Sequence, residues 1–215
     1  MSVYSHEFLT LALIHFLAVI MPGPDFIVTV RQSTLYGHRI GCITALGIGC
    51  GISVHVFYTL IGVGLIMSQN QSFMSIFQMI GASYLLYLGW NCIQGASKPI
   101  ELSMDQASSL ATMTAQKAFM TGFLTNALNP KATIFFLAIF TSIVNATTPL
   151  GIQILYGGWM CFVNALWFVG VSLIFTRPNI RSGFLKYNAV LEKMMGVFLA
   201  GIALRLIWSV VFHQN

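Results

Sequence analysis

Six long apolar runs, separated by short polar connections, limit what this chain of 215 residues can fold into. They cover residues 8–36, 40–67, 73–95, 117–144, 151–176 and 189–211. A spanning helix needs about 20 apolar residues to cross the hydrocarbon core, so six spans and their connections use nearly the whole length. No stretch remains for a soluble catalytic domain. Composition agrees: 57% of residues are hydrophobic, 7% are charged and the mean hydropathy is +0.81, against about 25% charged in soluble domains. The expected fold class is an all-α integral membrane protein, one transmembrane domain over residues 1–215.

The formal charge of +5 comes from dispersed lysines and arginines, most of them in the connections. That pattern reports topology and not nucleic-acid binding. The connections after the first, third and fifth runs hold Arg31, Arg39, Lys98, Lys117, Arg177, Arg181 and Lys186, while those after the second and fourth hold none. Basic residues accumulate in cytoplasmic loops, which predicts both termini outside the cytoplasm. The opening MSVYSHEF lacks the positive region of a secretory signal, so the first run is expected to persist in the mature protein. Cys42, Cys50, Cys92 and Cys161 form no CxxC pair and have no metal-ligand spacing. They read as small packing residues, and no cofactor is expected.

Two runs carry their own interruptions. Residues 21–26 read MPGPDF, and residues 129–131 read NPK. Proline inside a helix removes a hydrogen bond and clashes with the preceding turn, but it suits the first helical position. Asn129 reads as an N-cap before Pro130, and Pro24 starts a helix whose first turn holds Asp25, where the dipole favours an acid. Each run is therefore expected to be two half-helices, broken at Pro24 and at Pro130. Broken backbone at membrane depth is tolerated only against protein or a watery cavity. The N-termini of such half-helices attract carboxylates, an arrangement found in secondary transporters built from inverted repeats.

Asp25 and Lys131 stand at matching positions after the two prolines, and each costs about 2.5–3.5 kcal/mol at the bilayer centre. The candidate substrate site is Gly23, Pro24, Asp25, Asn129, Pro130 and Lys131, with Asn126 on the same helix face as Asn129. Asp25 is expected to face the α-ammonium of a free amino acid and to carry a proton. Lys131 and the adjacent N–H groups are expected to face the carboxylate. The alternative is an ion pair that only locks the two halves together.

Three runs on each side of a polar linker suggest duplication: repeat one at 1–95, linker at 96–116, repeat two at 117–215. An odd number of spans per unit inverts the second copy. Pro24 laid on Pro130 sets Asp25 against Lys131, and Met79-Ile80-Gly81 lies on Met194-Met195-Gly196 at a slightly different offset. In the second run Gly41, Ala45 and Gly49 recur at four-residue intervals, with Gly47 and Gly51 on a neighbouring face. This spacing serves close helix packing, and the same face could equally serve a homodimer.

Among other polar residues, His55 is a candidate for proton coupling. His15 and His55 otherwise read as interhelical hydrogen-bonding groups, with a haem pair unsupported by further histidines. Asn164, Asn91 and Gln78 read as helix glue. Arg205 is placed to snorkel to water or to gate. Glu192 is expected one turn inside the sixth run, leaving Asp25 as the only deep acid. Trp90, Trp159, Trp167 and Trp208 read mostly as interfacial anchors.

The chain resembles the LysE/RhtB exporters over essentially its whole length. The resemblance rests on PGPDF at 22–26, ALGIGCGISVH at 45–55 and NPKATIFF at 129–136. It implies a secondary transporter in the bacterial inner membrane that expels amino acids or related metabolites, driven by a proton or ion gradient. The PGPDF form is similar to the threonine and homoserine branch, and a lone deep acid suits a neutral amino acid better than a basic one. One charge moved through 100 mV gains about 2.3 kcal/mol, enough for roughly a fifty-fold gradient. The implied partners are the amino-acid substrate and membrane lipid, with no nucleic acid. The competing classes are a metal or other cation exporter, which needs ligand clusters, and an intramembrane thiol oxidoreductase, which needs paired cysteines.

Overall fold

The computed structural model describes residues 3–67, 71–95, 113–145 and 147–212. Those residues form eight α-helices and no strand: α1 (Val3–Ile20), α2 (Pro24–Tyr36), α3 (His38–Met67), α4 (Gln71–Gly95), α5 (Ala115–Ala127), α6 (Pro130–Ser142), α7 (Leu150–Phe175) and α8 (Pro178–Phe212). Both interruptions are present, with α1 and α2 meeting at 52° and α5 and α6 at 55°. Pro24 and Pro130 sit at the starts of their helices, where a missing N–H leaves no bond unmade. Gly23 precedes Pro24 in an extended conformation and provides no side-chain cap. Asn129 does provide one, its Oδ1 accepting the Lys131 N–H at 3.0 Å. Between α2 and α3 the chain turns at Gly37, whose φ of 87° is the left-handed region that favours glycine.

By length and composition, His38–Gly62, Leu150–Phe175 and Glu192–Phe212 can each cross a bilayer, and the two bent pairs raise the number to five. The sixth expected span corresponds to α4, a single helix of 25 residues, part of which lies outside the described side chains. The last helix starts at Pro178, ahead of the span expected at 189–211, and its candidate span is Glu192–Phe212. A proline is a favourable helix start, and the polar residues after it continue the helix. The expected polar linker at 96–116, with Lys98, Glu101 and Asp105, lies mostly outside the described residues. α5 begins beyond it, its Lys117 N–H capped by the Thr114 hydroxyl at 3.2 Å.

Lipid is as apolar as leucine, so close van der Waals contact and interhelical hydrogen bonds must hold these helices together. Glycines allow that contact. A Cβ at Gly47 would strike the Phe119 carbonyl, and one at Gly122 would strike that of Thr44, so α3 and α5 touch backbone to backbone. Gly89 of α4 and Gly196 of α8 meet reciprocally: a Cβ on either would lie 2.7 or 2.6 Å from the other's carbonyl oxygen. α3 also packs on α7, where Gly49 faces Ala165. Outward-facing side chains are apolar, Leu155 at 71% and Phe57 at 67% exposure among them.

α1 is held mainly by aromatic contacts to α7. Phe8 meets Tyr156 and Trp159 at ring-centroid distances of 5.5 and 5.3 Å, and Phe16 meets Trp167 at 5.9 Å. At its start the Glu7 carboxylate accepts from the Thr148 hydroxyl at 2.9 Å. Trp159 and Trp167 thus pack in the α1–α7 contact. One core gathers around Phe136, Phe140, Leu85 and Met160, and a second around Phe26, Ile48 and Phe168. The candidate site lies where the two meet.

Candidate functional site

A cavity of about 70 Å³ opens beside the two breaks, several times the roughly 10–15 Å³ at which a cavity admits a water. Every one of the eight described helices contributes to its wall. Gly23, Pro24 and Asp25 line it from the first break, and Asn129 and Lys131 from the second, with Asn126 beside them. Pro130 starts α6 at the same place. Six of the seven residues expected to bind substrate thus face one chamber, and the seventh fixes its backbone.

Asp25 is half-buried at the start of α2. Its Oδ2 accepts from the Asn126 amide at 2.8 Å, and its Oδ1 is buried without a partner. Asn126 is 1% exposed, and its own Oδ1 is likewise unpartnered. Buried polar atoms are nearly always hydrogen-bonded, so orphans beside a cavity mark a place for a guest or water. Lys131, on α6, points its ammonium at the Met21 thioether 3.3 Å away, a weak acceptor for a charged donor. Among the described residues Asp25 and Lys131 form no direct ion pair, although each acts on the other through space.

His55 does not line the chamber. Its Nε2 lies 2.9 Å from the Asn126 carbonyl, and its Nδ1 lies 2.7 Å from the Tyr58 hydroxyl. A carbonyl only accepts, so Nε2 donates and the neutral ring's Nδ1 accepts from Tyr58. The ring stacks on Phe136 at 5.5 Å. His55 therefore stands behind Asn126 and reaches Asp25 only through it.

Three residues matter more here than the sequence suggested. Glu192 exerts a Coulombic pull on Lys131, as Asp25 does. It stands at the start of the candidate span Glu192–Phe212, about four turns into α8, and acts on Lys131, so Asp25 is not the sole acid near the site. His15 and Asn164 both line the chamber. No periodicity signalled them, because α1 and α7 are apolar on nearly every side. The four cysteines are free thiols, and the described residues hold no group of three or more His, Cys, Asp or Glu that could bind a metal.

A mostly apolar helical bundle, with two bent helix pairs around a charged internal cavity, defines a membrane translocator. The LysE type translocator family model matches residues 16–210, and the chain belongs to that family. It is 28% identical over 204 residues to the threonine efflux protein of Escherichia coli K12, covering 94% of this chain and 98% of that protein. It is 27% identical over 193 residues to the membrane protein YahN of the same strain, covering 90% and 85%. To the leucine efflux protein of Salmonella choleraesuis it is 24% identical over 197 residues, covering 87% and 88%. No solved structure matches.

Proposed function

We propose that this protein is a secondary active exporter of small neutral amino acids of the threonine class, working across the bacterial inner membrane and driven by the proton gradient. The observation that carries the reading is the unpaired couple at the breaks. Among the described residues Asp25 Oδ1 and Asn126 Oδ1 have no hydrogen-bond partner, and the Lys131 ammonium donates to a thioether. A zwitterion supplies what both lack: its ammonium gives donors to the two oxygens, and its carboxylate gives Lys131 an acceptor. The Lys131 side chain stands at the N-terminus of α6, where the helix dipole adds to its charge. A metal cation would meet that combined positive field without a ligand cluster.

Asp25 is the proton carrier in this reading, because protonation removes the charge that holds the substrate's ammonium. His55 braces Asn126 from behind. The names of two relatives, threonine efflux protein and leucine efflux protein, support a neutral amino acid.

The inverted-repeat plan belongs to the same proposal, with six spans and both termini outside the cytoplasm. It is supported by the pairing of α3 with α7 and α4 with α8, and by the reciprocal Gly89–Gly196 crossing. The test is to load proteoliposomes with a panel of labelled amino acids and follow release under an imposed pH gradient. Gradient-dependent release of neutral amino acids is expected. Release of divalent cations in their place, or of nothing, overturns the reading.

A further inference from the structure

On the α1 and α7 side of the chamber, three buried side-chain atoms of His15 and Asn164 have no hydrogen-bond partner among the described residues. His15 is 1% exposed and Asn164 4%. Neither imidazole nitrogen of His15 meets a hydrogen-bonding group, and neither does Asn164 Oδ1. Around the imidazole stand Phe135, Phe136 and Trp159, at ring-centroid distances of 6.5, 6.0 and 5.8 Å. None of these rings gives His15 a hydrogen bond. Burying an imidazole and an amide oxygen this way is unfavourable unless something in the cavity completes them.

These groups stand on α1 and α7, whereas Asp25, Asn126 and Lys131 stand on α2, α5 and α6. Apolar side chains, Ile52, Leu88, Phe168 and Leu199, make up much of the remaining wall. The chamber therefore offers two kinds of polar group: charges able to hold an ammonium and a carboxylate, and neutral groups able to hold something uncharged. We infer that His15 and Asn164 form a side-chain subsite that selects amino acids carrying a hydroxyl or amide. The inference rests on the amino-acid reading above.

A neutral imidazole has one donor and one acceptor nitrogen. A hydroxyl can accept from the first and donate to the second or to Asn164 Oδ1. An aliphatic side chain of the same shape leaves all of them unpaired. Discrimination of this origin is on the order of tenfold or more, since an unsatisfied buried group weakens binding at least that much.

Threonine and valine are the direct probes, because they differ by a hydroxyl in place of a methyl. Their release from proteoliposomes is measured in parallel, and the ratio of the two rates is the readout. Wild-type protein is expected to favour threonine by at least about tenfold. His15→Phe and Asn164→Leu are each expected to bring the ratio toward one, while His15→Gln, which still donates and accepts, retains most of it. A role in packing alone would lower both rates together and leave the ratio intact, and that result overturns the subsite. Equal wild-type release of threonine and valine also overturns it while leaving the amino-acid reading standing. Release of neither amino acid removes that reading and the subsite with it.

Discussion

The two broken spans share a geometry, with bends of 52° and 55° and a proline at the start of each second half. They differ in electrostatics and in anchorage. In the first, the positive end of the α2 dipole meets the negative Asp25, a compensating pair. In the second, the positive end of α6 meets the positive Lys131, whose one hydrogen-bond acceptor among the described residues is the Met21 thioether, with Glu192 and Asp25 acting on it through space. The first break sets a charge of opposite sign against its dipole and the second does not, while each leaves one group for a guest: Asp25 Oδ1 an acceptor, and the Lys131 ammonium a donor. A positive site of this kind favours a carboxylate.

Anchorage differs in a parallel way. α5 lies backbone to backbone on α3 through Gly47 and Gly122, and Asn129 caps α6. α1 rests on α7 mainly through aromatic side chains, and Gly23 leaves α2 without a side-chain cap. The second broken span is fixed to its neighbours, while the first is the one whose displacement disrupts fewer contacts.

The sharpest break in the comparison is charge removal. Asp25→Asn and Lys131→Ala are each expected to cut amino-acid release from proteoliposomes by more than about a hundredfold, because each leaves a charge of the bound zwitterion buried and unpaired. Membrane insertion should be unaffected, and wild-type release by either variant would refute the assignment.

The anchorage difference is tested next. Gly122→Val drives a side chain into the Thr44 carbonyl and should destabilise the purified protein by about 1–3 kcal/mol in thermal unfolding. Gly158→Ala, where a Cβ meets open space, should leave the midpoint unmoved.

The caps predict a smaller contrast. Asn129→Ala loses the bond to the Lys131 N–H and should cost about 1 kcal/mol. Gly23→Ala loses no such bond, has its nearest atom at 4.0 Å, and should change stability by less than about 0.5 kcal/mol. Equal effects at the two sites would erase the distinction between the breaks.

The smallest effect is expected at His55. His55→Gln keeps a donor for the Asn126 carbonyl, so release should fall only a few-fold, about 1 kcal/mol in stabilisation. Its dependence on pH should keep its shape. A displaced pH profile would make His55 a proton carrier and not a brace.

Much of this was legible in the sequence where the chemistry is local. Proline and its neighbours decide helix ends by themselves, so the breaks at Pro24 and Pro130 and the Asn129 cap could be read directly. The limits of α3, α4 and α7 fall within two residues of the apolar runs. What could not be read was helix rotation. A helix apolar on all sides gives no sign of which stripe faces inward, so His15, Asn164 and Glu192 could not be placed at the chamber. The span expected at 189–211 was legible, whereas the helix start at Pro178 was not, since hydropathy marks where lipid begins and not where a helix does.

The most direct test of the central claim is a structure of the protein with threonine bound, in lipid. The account predicts the amino acid in the chamber between the breaks, its ammonium within hydrogen-bonding distance of Asp25 and Asn126, and its carboxylate at Lys131. Substrate bound elsewhere with the chamber empty, or Asp25 and Lys131 paired directly beneath it, would contradict the account.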